Sequence, residues 1–103
     1  MRAKLPAGLE KYAETPVFTA ETVPGKLTSL HDIKAGTWGR LMVLTGALDY
    51  VVPGPPSSRR RITAGETGII EPQVRHRVEL VGPVTFRVEF HGAPRLSSPS
   101  PQA

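Results

Sequence analysis

Apolar and polar residues alternate along most of this chain with a period of two, the mark of β-strands that bury one face. Near the C-terminus, Phe86, Val88 and Phe90 fall on one face, and Arg87, Glu89 and His91 on the other. One strand earlier His76, Val78 and Leu80 share a face, which directs His76 inward among apolar neighbours. Arg75, Arg77 and Glu79 then face solvent or a subunit contact. Upstream, the face carrying Trp38, Arg40, Met42 and Leu44 reads as the core face. The pattern predicts strands at residues 16–20, 26–31, 38–45, 47–52, 60–63, 68–71, 76–81 and 84–90, with one helical turn at 9–12.

Eleven prolines and ten glycines cut the chain into pieces too short for several helices. Two segments read as hairpins. LMVLTGALDY (41–50) turns at Thr45-Gly46, where Gly46 supplies a positive φ, and LVGPVTF (80–86) turns at Gly82-Pro83. PGPPSS (53–58) is a surface connection. About eight short strands so spaced indicate a β-sandwich or small barrel. At 103 residues the chain makes one domain with one core. The expected layout is an N-terminal arm over 1–11, a folded unit over 12–92, and a disordered Ser/Pro-rich tail over 93–103.

Without cysteine, a bound metal would have to rely on His, Asp, Glu or water. The N-terminus lacks an apolar run of signal-peptide length and no segment approaches a membrane span, so a soluble cytoplasmic protein with no membrane partner is expected. The net charge is +4, and three arginines, Arg59, Arg60 and Arg61, lie together. They have no aromatic neighbours for base stacking, so they read as a solvated hairpin edge that discourages aggregation, not as a nucleic-acid site. No Ser-His-Asp set is credible with three histidines so placed. Gly36, Gly39 and Gly46 precede no helix and make no dinucleotide fingerprint.

Three stretches together carry a family resemblance: YAETPVFTAETVPGKLTSLH (12–31), AGTWGRLMVLTGALDY (35–50) and GIIEPQVRHRVELVGPVTFRVEFH (68–91). Their Thr-Pro-x-Phe opening, Trp-Gly-Arg strand, Glu-Pro-x-x-x-His turn and Val-Glu-Phe ending resemble the TehB/YeaR-like domain family, linked by name to tellurite resistance. The resemblance implies an all-β, cupin-like double-stranded β-helix (a small barrel or jelly roll), forming a homodimer, and occurring alone or attached to a methyltransferase domain. His76 takes the position of the second cupin motif's histidine. The first-motif region, KAGTWGRLMVLTG, contains no histidine and no acid, so the usual four-ligand metal set is incomplete.

The candidate chemistry gathers at the barrel mouth. A β-branched strand ends in Glu71-Pro72 and delivers His76 after a tight turn. His31, where the resemblance also places a histidine, would face His76 across the barrel. Glu71 would complete a three-ligand site, with Glu89 as its substitute if the inner face is reversed. Such a site suits one divalent Zn, Fe, Ni or Mn ion. Arg40 on the core face would need an acid, either Glu71 or Asp49, or an anionic ligand, with Trp38 beside it at the pocket mouth. The bland reading has both histidines simply hydrogen-bonded to carboxylates or carbonyls, and His91 as a surface residue. Three functions follow: a ligand-binding cupin, metal-bearing in one form, taking a small molecule or oxyanion under tellurite-type stress; a metal-dependent oxygenase or isomerase; and a non-catalytic dimerisation or regulatory module.

Overall fold

The computed structural model describes residues 4–94. Within them the chain builds one six-stranded antiparallel sheet. In order these are β1 (Glu10–Glu14), β2 (Phe18–Thr19), the four-residue helix α1 (Gly25–Thr28), β3 (Trp38–Val52), β4 (Ser58–Thr63), β5 (Thr67–Ile70) and β6 (Arg77–Gly92). β3 and β6 form the spine and pair from Trp38↔His91 to Val51↔Arg77. β5 lies beside the first half of β3 and β4 beside its second half, while β1 and β2 pair with β6. The strand order β1-β6-β3-β4 leaves two edges, so the sheet is open and the expected closed barrel does not form among the described residues.

The two expected hairpins are instead two bends in one continuous ribbon. Each strand breaks register where the other does: β3 between Val43 and Thr45 and between Gly46 and Ala47, opposite Val81–Thr85 of β6. Gly46 has φ +76°, and a Cβ there would lie 2.1 Å from the Pro83 carbonyl oxygen, so only glycine lets the backbones pass this closely. Because the bends face each other, β3 and β6 keep pairing with one another through them. Expected strands 38–45 and 47–52 thereby merge into β3, and 76–81 and 84–90 into β6.

The bulge also shifts the side-chain phase of β3. Before it, Leu41 and Val43 are buried; after it, Leu48 and Tyr50 are. They close on Ile62, Ile70, Val78, Val84, Phe86 and Val88 in one core. Burying side chains of this size stabilises by roughly 1.5–3 kcal/mol each. Phe18 of β2 meets Phe86 edge-on at 5.7 Å. The core face of early β3 is therefore the one opposite to that read from sequence. Trp38, Arg40 and Met42 pair with His91, Glu89 and Arg87 on the outer face.

Two short elements also differ. Of residues 9–12, expected as a helical turn, Glu10 to Tyr12 lie in β1, held by pairing with β6. Residues 26–31 hold part of α1, which starts after Pro24, followed by a lone bridge between His31 and His76. The predicted tail lies, beyond residue 94, outside the described residues.

Outside the core, the arginine run is spent on acids. Arg61 Nε donates to Asp49 Oδ1 at 2.6 Å, and Arg59 donates to Asp49 Oδ2 at 2.9 Å and to Glu79 Oε1 at 2.7 Å. The Arg61 bond, with Arg59 behind it, holds the Asp49 carboxyl below its ordinary range despite burial. Two of the three arginines thus lace β4 to β3 and β6 as a charged edge.

Candidate functional site

Between the sheet and the segment that crosses over it lies an open cavity of about 460 Å³. Its walls come from two sources. The sheet supplies Phe18, Ile70, Val88 and Phe90, and the segment crossing over it supplies Leu27 and Ile33. Polar and ionisable groups enter at few points: His31 and His76, with Lys26, Lys34 and Asp32 from the crossing segment, and Tyr12 bonded to Thr37 at 3.1 Å.

Backbone pairing fixes the two histidines. His31 N–H donates to the His76 carbonyl at 2.9 Å and His76 N–H donates to the His31 carbonyl at 2.8 Å. That bridge brings the rings to 4.2 Å between centroids, at 61°. Each Nδ1 lies against a backbone carbonyl, Ser29 O at 2.9 Å for His31 and Val74 O at 2.8 Å for His76. A carbonyl only accepts, so Nδ1 carries the proton and Nε2 is left as the nitrogen each neutral ring can offer. His76 is 1% exposed and stacks on Tyr50 at 5.1 Å and 29°. Burial pushes its imidazole below the ordinary histidine range, outweighing the Val74 bond that favours the charged form. It is the neutral base at the cavity floor. Tyr50 behind it has its phenol pushed up, first by burial and then by the charge of Glu71.

The structure thus brings His31 and His76 together and leaves the remaining candidates elsewhere. Glu71 lines a separate cavity of about 240 Å³ with Tyr50, Ile69 and Val74. Ile70 points into the large cavity, and its strand neighbours turn away from it. Glu89 sits on the outer face, 6% exposed, accepting from His91 Nε2 at 3.1 Å. His91 is accordingly a partly buried member of a charge cluster, where sequence suggested a surface residue. Arg40 is also outside, with Nη1 3.6 Å from Glu89 Oε1; its acid is neither Glu71 nor Asp49. Trp38 and Tyr50, expected on neighbouring strands of a hairpin, lie on one strand.

A metal would need more than two imidazoles. Among the described residues no three His, Asp or Glu side chains come together as a metal-holding group. The donor set present does not fit the three-ligand centre read from sequence. The sequence reading also missed Lys26, Leu27 and Lys34 as cavity residues, because it placed the first two on a strand where the structure has α1 and the segment that crosses the sheet. Phe18 did have a signal, the Thr-Pro-x-Phe opening.

An open antiparallel sheet, bent over one apolar cavity with a histidine pair at its floor, defines a small cavity-bearing β-module. The chain belongs to the TehB-like domain family, whose model matches residues 13–88. It is 36% identical over 72 residues to a probable S-adenosyl-L-methionine-dependent methyltransferase TehB of Haemophilus influenzae, covering 66% of this chain and 25% of that protein. It therefore spans about a quarter of the curated relative it matches. The crystal structure of Haemophilus influenzae TehB superposes with a TM-score of 0.77 at 28% identity, over 84% of this chain and 32% of TehB. A crystal structure of an Escherichia coli K12 protein superposes at 0.80 with 25% identity, over 88% of this chain and 97% of that one. KdgF from Halomonas sp. shares the fold alone, at a TM-score of 0.52 and 14% identity over 91% of this chain and 88% of KdgF. Among the described residues no helix is long and apolar enough to cross a membrane.

Proposed function

We propose that this protein is a small-molecule-binding module whose ligand has an apolar body and an anionic group and sits in the 460 Å³ cavity. The observation that carries the reading is the composition of the cavity wall: mostly apolar side chains, with Lys26, Lys34, His31 and His76 set against one acid, Asp32. A volume in this range suits a small organic ligand, and convergent polar groups among apolar walls are what orient one. His76 Nε2 accepts a proton donor from the ligand, and the lysines attract the anionic end. We read the bent ribbon as a shortened double-stranded β-helix of the cupin type, since β3 and β6 each run through both halves of the sheet. In TehB, the shared segment would be a ligand-holding unit carried beside the rest of a much longer chain. The oxyanion-stress association implied by the family resemblance would then act through the bound compound.

The test is a thermal-shift and calorimetric screen of aliphatic and aromatic carboxylates. A binder at a hundred times its Kd stabilises by about 2.7 kcal/mol. Leu27→Trp fills the cavity from α1 and should abolish that gain, while Lys26→Gln with Lys34→Gln should weaken binding about tenfold or more. Failure of every anionic compound to raise the Tm, or unchanged binding to Leu27→Trp, would overturn the reading.

A further inference from the structure

The smaller cavity of about 240 Å³ lies where β3 and β5 end and β4 begins. Strand alternation brings Tyr50 and Val52 to it from β3, and Ile69 and Glu71 from β5 and the residue after it. Val74 lines it from beyond the turn, and Ser58 adds an exposed hydroxyl. Among the described residues no lysine, arginine or histidine lines this cavity. Glu71 is half-buried, and its carboxylate makes no hydrogen bond or ion pair within the described residues. Tyr50 is 4% exposed, and its hydroxyl has no partner there either. That hydroxyl is not sealed in, because Arg87 Nε is the one fully enclosed side-chain polar atom left unpaired among the described residues. It opens instead on the small cavity that Tyr50 lines, near enough to Glu71 that the phenol, raised first by burial, is raised further by the carboxylate charge. An acceptor-only carboxylate and a hydroxyl, both unpaired in a largely apolar recess, call for a donor that the protein itself does not supply.

We propose that this cavity is a receptor for a small primary amine in its ammonium form, the nitrogen held by the Glu71 carboxylate and the Tyr50 hydroxyl and the short alkyl chain packed on Val52, Ile69 and Val74. An alkylammonium brings N–H donors and no acceptor, the complement of what this wall offers. Its bond to Glu71 is charge-assisted, and partial burial leaves that pair less screened by salt than one at the open surface. The volume falls below the roughly 300–1,000 Å³ of sites for drug-sized ligands, which limits the alkyl chain to a few carbons. The charge selected is opposite to that favoured in the larger cavity, where lysines and histidines outnumber the one acid. Tyr50 stacks on His76 of that larger cavity, so the two sites lie close together. The amine site does not depend on the ligand of the larger one.

The experiment is a ¹H–¹³C NMR titration of the full chain with n-butylammonium chloride, against tetramethylammonium chloride and sodium chloride at matched ionic strength. It is read at the methyl groups of Val52, Ile69 and Val74. Expected are saturable shifts with butylammonium alone, since tetramethylammonium carries the charge without an N–H donor. Glu71→Gln should raise the Kd about tenfold or more, and Tyr50→Phe, which keeps the stack on His76, about two- to tenfold. Glu71 has no partner among the described residues to lose, so its variant keeps the test open should Tyr50→Phe fold poorly. Leu27→Trp fills only the larger cavity and should bind the amine as wild type does; binding lost there would put the amine in that cavity and overturn the proposal. Linear shifts, the same shifts from tetramethylammonium, or a Kd within about twofold of wild type in Glu71→Gln would overturn it as well.

Discussion

Replacing His76 by alanine tests the packing and the charge state of the cavity floor together. The ring is 1% exposed, donates to Val74 O at 2.8 Å, and lies against both Tyr50 and His31. Loss of the hydrogen bond costs about 0.5–1.5 kcal/mol. Truncating a large buried ring costs about 3–5 kcal/mol where nothing relaxes. An imidazole is smaller than a phenyl ring, and this one borders an existing cavity where water can reach the freed carbonyl. The total should therefore be about 2–3 kcal/mol. The main-chain bridge to His31 remains, so the strands stay folded. For a domain of this size that cost lowers the Tm by roughly 10–20 °C.

The pH dependence supplies an independent check. The folded-state pKa of His76 lies below the ordinary value of 6.5, because burial opposes the charge. As pH falls past that value, the unfolded chain takes up a proton that the folded chain refuses, so wild type loses stability on acidification. The alanine variant has no such group. The stability gap between the two proteins is therefore widest at pH 7–8, above the ordinary value of 6.5, and narrows toward pH 5. Urea unfolding followed by far-ultraviolet circular dichroism at both pH values measures it. A gap below about 1 kcal/mol at neutral pH would refute the packing argument. A gap that does not change with pH would refute a histidine buried as the neutral base.

Two further perturbations probe the frame around the site. Gly46→Ala puts a Cβ 2.1 Å from the Pro83 carbonyl at φ +76°, so the β3–β6 ribbon must open at its bend. A loss of more than about 2 kcal/mol in urea unfolding is expected, and a near-neutral result would mean that the bends do not need this close approach. Asp49→Asn keeps the shape but removes the charge that Arg61 and Arg59 hold, costing about 1–2 kcal/mol at neutral pH. Because the Asp49 pKa is lowered, its stabilisation is present above the ordinary value of 3.8 and is lost as pH falls through the folded value. The wild-type and variant stabilities should converge in acid, and parallel curves there would remove Asp49 from the account.

Where the two faces of a strand differ in polarity, the sequence showed which one is buried. In β6 the apolar set Phe86, Val88 and Phe90 alternates with Arg87, Glu89 and His91, and only one assignment keeps the charged row out of the apolar core. In early β3 the run Leu41-Met42-Val43-Leu44 is apolar on both faces, so period-two reasoning has no phase to read there. The deciding fact is non-local: Arg40 pairs with Glu89, which puts its whole row among charges. The hairpins were misread for a related reason. A glycine with positive φ is needed for a reversal and for a bulge alike, and only the partner strand tells them apart. With β3 and β6 pairing throughout, Gly46 and Gly82-Pro83 bend the ribbon without turning it back.

The site follows the same division between local and non-local information. His76 was legible because strand alternation groups it with Val78 and Leu80, and His31 because the family resemblance places a histidine there; a backbone bridge across 45 positions does bring their rings into contact. Glu71 was chosen for its nearness to His76 in sequence. Its adjacency to Ile70 is what sends it elsewhere: strand alternation aims Ile70 into the large cavity and Glu71 into the small one beside Tyr50. The consequence is a pair of imidazoles that share their wall with one carboxylate, Asp32, and with two lysines, Lys26 and Lys34. With two imidazoles and two lysines set against that one acid, the balance of the wall is basic, which is what favours the proposed acidic organic ligand over a bound cation.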